Sequence, residues 1–165
     1  MRTFLFLVAG LWFPSLVFGL DGGVVRVVDG DTIVVLTDDK TSVKVRLSYI
    51  DSPEKSQPLG KKAKQVLSGL VFGQVVHIVE QPKPDRWKRV LGVVFVNDGL
   101  NDGLNVNREM VALGYAWVYP KYNQDADLPA FQLAAQRAGL GLWRLQADQR
   151  IEPWVWRKLA RQSRH

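Results

Sequence analysis

Arg46, Asp51 and Glu54 fall within nine residues of one another, in the stretch Val-Arg-Leu-Ser-Tyr-Ile-Asp-Ser-Pro-Glu at positions 45–54. Two carboxylates and a guanidinium at this spacing suit a hard cation and a phosphate, since carboxylate oxygens hold the first and a planar N–H fork matches the second. The same trio also occurs in ordinary exposed turns. Asp29-Gly30-Asp31-Thr32 adds two more carboxylates beside a glycine, a pattern whose commonest use is a simple turn. It is not an EF-hand: the twelfth position counted from Asp29 or Asp31 is Lys40 or Ser42, where a bidentate glutamate is required. Residues 81–89, Gln-Pro-Lys-Pro-Asp-Arg-Trp-Lys-Arg, form a basic loop around one aromatic, Trp87. Residues 115–122 hold Tyr115, Trp117, Tyr119 and Tyr122 beside Lys121. Such a cluster serves either as a platform for stacked bases or as an ordinary core-and-rim segment.

These residues need strands and turns to position them. Residues 23–28 and 33–36 are rich in valine and isoleucine and flank the Asp29–Thr32 turn, as in two strands joined by a glycine-bearing turn. Over 43–50, Val43, Val45, Leu47 and Tyr49 alternate with Lys44, Arg46 and Ser48. That period predicts a half-buried strand, ended by Pro53, which lacks an N–H and forces Ser52 to be extended. A helix is predicted over about 61–72, with Ala63, Val66, Leu67, Leu70 and Val71 as its apolar stripe and Lys61, Lys62 and Lys64 outside it. Two further strands follow at 74–80 and 90–96, the second with Gly92 as a bulge or bend. His77 within the first of these has a structural role rather than a ligating one. Helices are predicted over 106–113, with Gly114 as its C′ residue, and over 128–139, with Phe131, Ala134, Ala135 and Ala138 inward. Asn-Asp-Gly-Leu occurs twice in succession at 97–104, a repeat better suited to a loop extension than to an architectural unit. Five short strands with helices after the third and the fifth predict a mostly β α+β chain: a five-stranded OB-fold barrel with about three packed helices.

Composition narrows the chemistry. The chain has 165 residues, enough for one domain with a real core. Its 22 lysines and arginines against 16 acidic residues give a formal charge of +6, which favours a polyanionic partner such as nucleic acid. With no cysteine, disulfides, zinc fingers, iron–sulfur clusters and thiol nucleophiles are excluded. His77 and His165 are the only histidines, and neither has the company for a triad or an imidazole metal site. Arg2, the apolar run at 4–18 and Gly19 form the pattern of a signal peptide over residues 1–19. A single domain then spans 20–165, with a basic C-terminal tail from about residue 147. The competing expectation is an uncleaved anchor, since residues 3–20 approach membrane-spanning length.

The order and spacing of Asp29-Gly30-Asp31-Thr32, Arg46-Leu47, Ile50-Asp51-Ser52-Pro53-Glu54, residues 85–89, Val106-Asn107 and residues 139–143 resemble the staphylococcal nuclease (thermonuclease) family. The closing Pro-Trp-Val-Trp-Arg resembles exported bacterial members. The resemblance implies that Asp31 and Asp51 bind calcium and that Ser52, where many members have threonine, offers a backbone carbonyl. It implies that Glu54 acts on the attacking water and that Arg46 and Arg89 hold the scissile phosphate. Trp87, Lys88, Tyr119 and Tyr122 fall in regions that contact nucleic acid in relatives. The family pattern Asp-x-Tyr-Gly-Arg stands here as Asp85-Arg86-Trp87-Lys88-Arg89. If the usual glycine position requires a positive φ, Lys88 forces the loop to rearrange and changes the aim of Arg89. The expected protein is an exported (periplasmic or secreted), monomeric, calcium-dependent endonuclease that hydrolyses DNA and RNA without regard to sugar. The alternative is a non-catalytic OB-fold module that binds nucleic acid. A weaker third expectation is an envelope-anchored protein whose basic surface meets anionic lipid.

Overall fold

In the computed structural model the described residues are 19–96 and 103–163; residues 1–18, most of the segment expected to be a signal peptide, and the repeat up to residue 102 lie outside them. Strands β1 (Gly19–Val27), β2 (Thr32–Leu36), β3 (Ser42–Leu47), β5 (Val75–Glu80) and β6 (Val90–Val96) close a five-stranded barrel. Each neighbouring pair is antiparallel except β3 and β6, which run parallel and seal the ring through Val45↔Val90 and Leu47↔Gly92. Closure removes the exposed edges that an open sheet of this width would carry. Three two-residue strands accompany it: β4 (Ile50–Asp51), β7 (Leu104–Asn105) and β8 (Trp117–Val118).

The interior follows the strand period. Val24, Val27, Ile33, Val35, Val45, Leu47, Val76, Ile78 and Val94 are buried in one cluster. The three-residue step from Val24 to Val27 reflects a register shift between Val24 and Arg26 in β1, which leaves Val25 48% exposed and is the signature of a bulge. Helix α1 (Gly60–Val71) caps the barrel with Ala63, Leu67 and Val71, and α2 (Val106–Ala112) adds Val106, Met110 and Val111. Burying a large aliphatic side chain of this kind contributes roughly 1.5–3 kcal/mol. Asn105 caps α2 by accepting from the Arg108 N–H, and Gly114 follows it at φ +73, as expected of its C′ residue.

Four expectations are corrected. The strand expected over 43–50 stops at Leu47: Tyr49 takes φ +69, the chain reverses at Ser48–Tyr49, and β4 leaves the barrel to pair with β8. The break therefore precedes Pro53. Gly92 is not a bulge; it stays in register with Leu47 and Glu80, and a Cβ there would lie 2.3 Å from Ile78 Cγ2. In α3 (Leu128–Arg137) the inward residues are Leu128 and Ala135, whereas Phe131, Ala134 and Ala138 are exposed. Finally, the basic tail contains a fourth helix, α4 (Pro153–Gln162), with proline in its first turn, where a missing N–H costs nothing.

Candidate active site

Four elements bring the charged residues together. Asp31 ends the turn between β1 and β2, where its own N–H is held by Asp29 Oδ1 at 3.1 Å. Gly30 makes the neighbouring approach possible: a Cβ on it would lie 2.7 Å from Ser52 Cβ and 2.9 Å from Ala63 Cβ. Ser52 donates its hydroxyl to the Gly30 carbonyl at 2.8 Å and its N–H to Asp31 Oδ2 at 3.2 Å. The loop after β4 is thereby laced to the first turn, and Asp31 comes to rest beside Asp51. Both are buried.

Arg46 projects from β3 between them. Its Nη2 donates to Asp31 Oδ2 at 2.9 Å and to Asp51 Oδ1 at 2.7 Å, so the two carboxylates converge on one nitrogen. The Arg46 Nη1 and Nε donors have no acceptor among the described residues. Burial pushes the Asp31 carboxyl above the usual carboxylate range, outweighing the opposing pull of Arg46. Burial also works against the Arg46 charge, yet Asp31 and Asp51 hold that group above its ordinary value. Glu54 is half-buried, and its N–H donates to Gln57 Oε1 at 2.8 Å.

A residue that the sequence did not single out completes the group. Arg157 of α4 donates from Nη2 to Asp51 Oδ2 at 2.6 Å, and from Nη1 to Asp51 Oδ1 at 3.1 Å and Glu54 Oε1 at 2.7 Å. Burial lowers the Arg157 pKa, but the hydrogen bonds to Asp51 and Glu54 more than offset it. Gln57 ties α4 to the same loop, since its Nε2 donates to the Ile151 carbonyl at 3.0 Å. The one local signal in the tail is Pro153, which suits the first turn of a helix but does not by itself predict one. Nothing local linked Arg157 to partners 106 and 103 positions earlier.

Among the described residues Arg89 makes no hydrogen bond or ion pair to this cluster. Its Nε donates to Asp85 Oδ2 at 2.7 Å and its Nη2 lies 2.6 Å from the same oxygen. Asp85 Oδ1 also accepts the backbone N–H groups of Trp87 and Arg89, at 2.9 and 3.0 Å. Partial burial raises the Asp85 pKa, but these bonds together hold the carboxyl below the usual range. Lys88 sits at φ +59, so the loop keeps a left-handed residue here and lysine carries the cost, about 1 kcal/mol against glycine. Trp87 is 61% exposed, with the Arg86 and Arg89 guanidiniums 4.0 and 5.0 Å from its ring centroid. Tyr122 is exposed and packs edge-on to Tyr119, whose ring is stacked on Trp154 of α4 at 4.9 Å and 3°. Exposed Trp87 and Tyr122 offer faces to a base; Tyr119 already shares one with Trp154.

The donor set fits a hard cation. Asp31 and Asp51 supply only oxygens, with no imidazole or thiolate nearby, which suits calcium or magnesium better than zinc. Among the described residues no three His, Cys, Asp or Glu side chains gather closely enough to hold an ion by themselves. Backbone, water and substrate oxygens would have to complete the shell. His77 lies away from all this, paired with Asp21 at 2.8 Å on the exposed face of the sheet.

Comparison with known proteins points the same way. Residues 44–145 match the model of the staphylococcal nuclease homologue family. An uncharacterized endonuclease of Escherichia coli is 42% identical over 158 residues, covering 95% of this chain and 98% of that protein. A micrococcal nuclease of Shigella flexneri is 40% identical, covering 86% of this chain and 83% of its own length. A staphylococcal-like nuclease of Arabidopsis thaliana is 34% identical over 70% of this chain, which corresponds to 33% of the plant protein.

Proposed function

Since the chain belongs to the staphylococcal nuclease family and is a nuclease, we propose that it is an exported, calcium-dependent endonuclease that hydrolyses DNA and RNA alike. The observation that carries this reading is the convergence of buried Asp31, from the β1–β2 turn, and Asp51, from β4, on a single Arg46 nitrogen, with Glu54 beside them. Buried carboxylates repel phosphate and gain nothing in a pure binding module unless a cation intervenes. Asp31, Asp51 and the backbone at Ser52 would hold that cation, which when bound supplies positive charge to the phosphate oxygens.

The remaining chemistry is done by the chain's own residues. Arg46 uses its unpartnered Nη1 and Nε donors on the equatorial oxygens, where charge grows as water adds to phosphorus. Glu54 orients that water and accepts its proton, while the phosphorus–oxygen bond to one sugar breaks and the departing oxygen takes a proton from solvent. Arg89 and Lys88 grip the phosphate backbone from the 85–89 loop, while Trp87 and Tyr122 stack bases and Tyr119, stacked on Trp154, supports Tyr122. Contacts of these kinds read neither base edges nor the 2′ position, which supports action on both sugars. Arg2 and the apolar run at 4–18 support export.

The test is cleavage of labelled single-stranded DNA and RNA by the protein with calcium, with EDTA, and as Glu54→Gln. Cleavage should require calcium and fall by about 10²-fold or more in the variant. Tight binding with no cleavage under any condition would favour the non-catalytic module.

A further inference from the structure

We infer that Arg157 is a substrate-binding arginine of the active site, delivered by α4 to hold the scissile phosphate while it holds Glu54 in place. The inference rests on the nuclease reading of the Asp31–Asp51–Glu54 site and adds to it a residue to which the family resemblance assigned no role.

Its geometry is that of a site residue rather than a tail anchor. An anchor needs one partner, and Arg157 forks across two carboxylates with three hydrogen bonds of 2.6, 2.7 and 3.1 Å. Those bonds leave Nε and one Nη2 hydrogen with no acceptor among the described residues. The side chain is 37% exposed and its partner Glu54 is 39% exposed, so both remain within reach of solvent and of a substrate. Arg89 spends Nε and Nη2 on Asp85 instead. Arg157 thus joins Arg46 as a guanidinium bonded directly to these carboxylates.

Charge balance agrees. The carboxylates of Asp31, Asp51 and Glu54 face the guanidiniums of Arg46 and Arg157, a net charge of −1. A divalent cation turns this into +1, which one phosphodiester neutralises. Without Arg157 the loaded site would already be neutral, with no surplus charge to attract the phosphate.

The helix is also held firmly enough to aim the residue. Pro153 is buried, Gln57 bridges the Glu54 N–H to the Ile151 carbonyl, and Trp154 stacks flat on Tyr119. The ordering cost of a long arginine is thus met before substrate arrives.

The test uses the full chain with Arg157→Gln, Arg157→Lys and, as a control for helix charge, the exposed neighbour Lys158→Gln. Three quantities are measured: kcat and KM on single-stranded DNA in calcium, anisotropy of a fluorescent phosphorothioate octanucleotide in calcium, and calcium affinity by calorimetry. Arg157→Gln should lose about 10²-fold in kcat/KM and about 10-fold in octanucleotide affinity, with calcium bound at least as tightly as before, since a positive charge has left Asp51. Arg157→Lys should recover only part of each loss, because an ammonium cannot reproduce the fork. Lys158→Gln should match the wild type. Wild-type or faster cleavage by Arg157→Gln, with octanucleotide affinity unchanged, would overturn the inference and make Arg157 a plug on the cation's carboxylates. If Arg157→Gln does not fold, Arg157→Lys decides: wild-type kinetics refute the role and an impaired kcat/KM at unchanged melting temperature supports it. If the wild type cleaves nothing, the nuclease reading fails, and octanucleotide affinity alone still tests whether Arg157 binds phosphate.

Discussion

Asn107 offers the sharpest test of how the fold positions the site. It is 1% exposed, at the start of α2, and its amide is fully engaged. Oδ1 accepts from the Val94 N–H at 3.0 Å, while Nδ2 donates to the Ser48 carbonyl at 2.9 Å and the Gly92 carbonyl at 3.3 Å. One side chain thus pins β6 to the Ser48–Tyr49 reversal that launches β4 and Asp51. Asn107→Ala leaves the Val94 N–H and the Ser48 carbonyl buried and unpartnered, at about 1–2 kcal/mol each. The sum, about 2–4 kcal/mol, corresponds to a melting temperature lower by roughly 10 °C for a chain of this size. Asn107→Asp keeps the shape and the acceptor but offers Ser48 no donor and turns a carboxylate toward two carbonyls. It should be at least as destabilising at neutral pH and partly relieved on acidification, when the protonated acid can donate again. Urea and thermal melts of both variants read this directly. An alanine variant within about 0.5 kcal/mol of wild type, or an aspartate variant as stable as wild type at pH 7, would refute the pinning role.

Two further outcomes follow from the 85–89 loop. Lys88→Gly should stabilise the protein slightly, by at most about 1 kcal/mol, because relief at φ +59 is partly offset by the freer unfolded chain; a loss of stability in chemical denaturation would show that lysine makes a contact worth more than its strain. Asp85→Asn should loosen the loop and speed tryptic cleavage after Arg86, Lys88 and Arg89. The Asp85 carboxyl is held below its ordinary pKa in the fold, so its contribution to stability is present above the unfolded value of about 3.9 and disappears as pH falls through the folded one. The gap between wild type and Asp85→Asn should accordingly be open at pH 7 and close in acid; a gap independent of pH would count against the charge-assisted bonds.

The sequence determined what local periodicity and residue chemistry can carry. Alternating β-branched residues specified the five barrel strands, and the Ala63–Leu67–Val71 stripe specified α1, because one face of each had to be buried. Arg46, Asp51 and Glu54 were legible because they share one short segment, and the Asp29–Thr32 turn supplied Asp31. Continuous alternation, however, concealed the reversal at Ser48–Tyr49: a left-handed tyrosine is fixed by what Asn107 and β8 hold in place, not by its own preference. At Lys88 the family resemblance raised a positive φ without deciding it, and Asp85's bonds to the loop hold it there. The place of Arg157 was decided wholly in three dimensions. Its partners lie 106 and 103 residues away, and an arginine on a basic tail carries no sign of them. Only the packing of α4, through Gln57, Pro153 and the stack of Trp154 on Tyr119, brings that charge to Asp51 and Glu54.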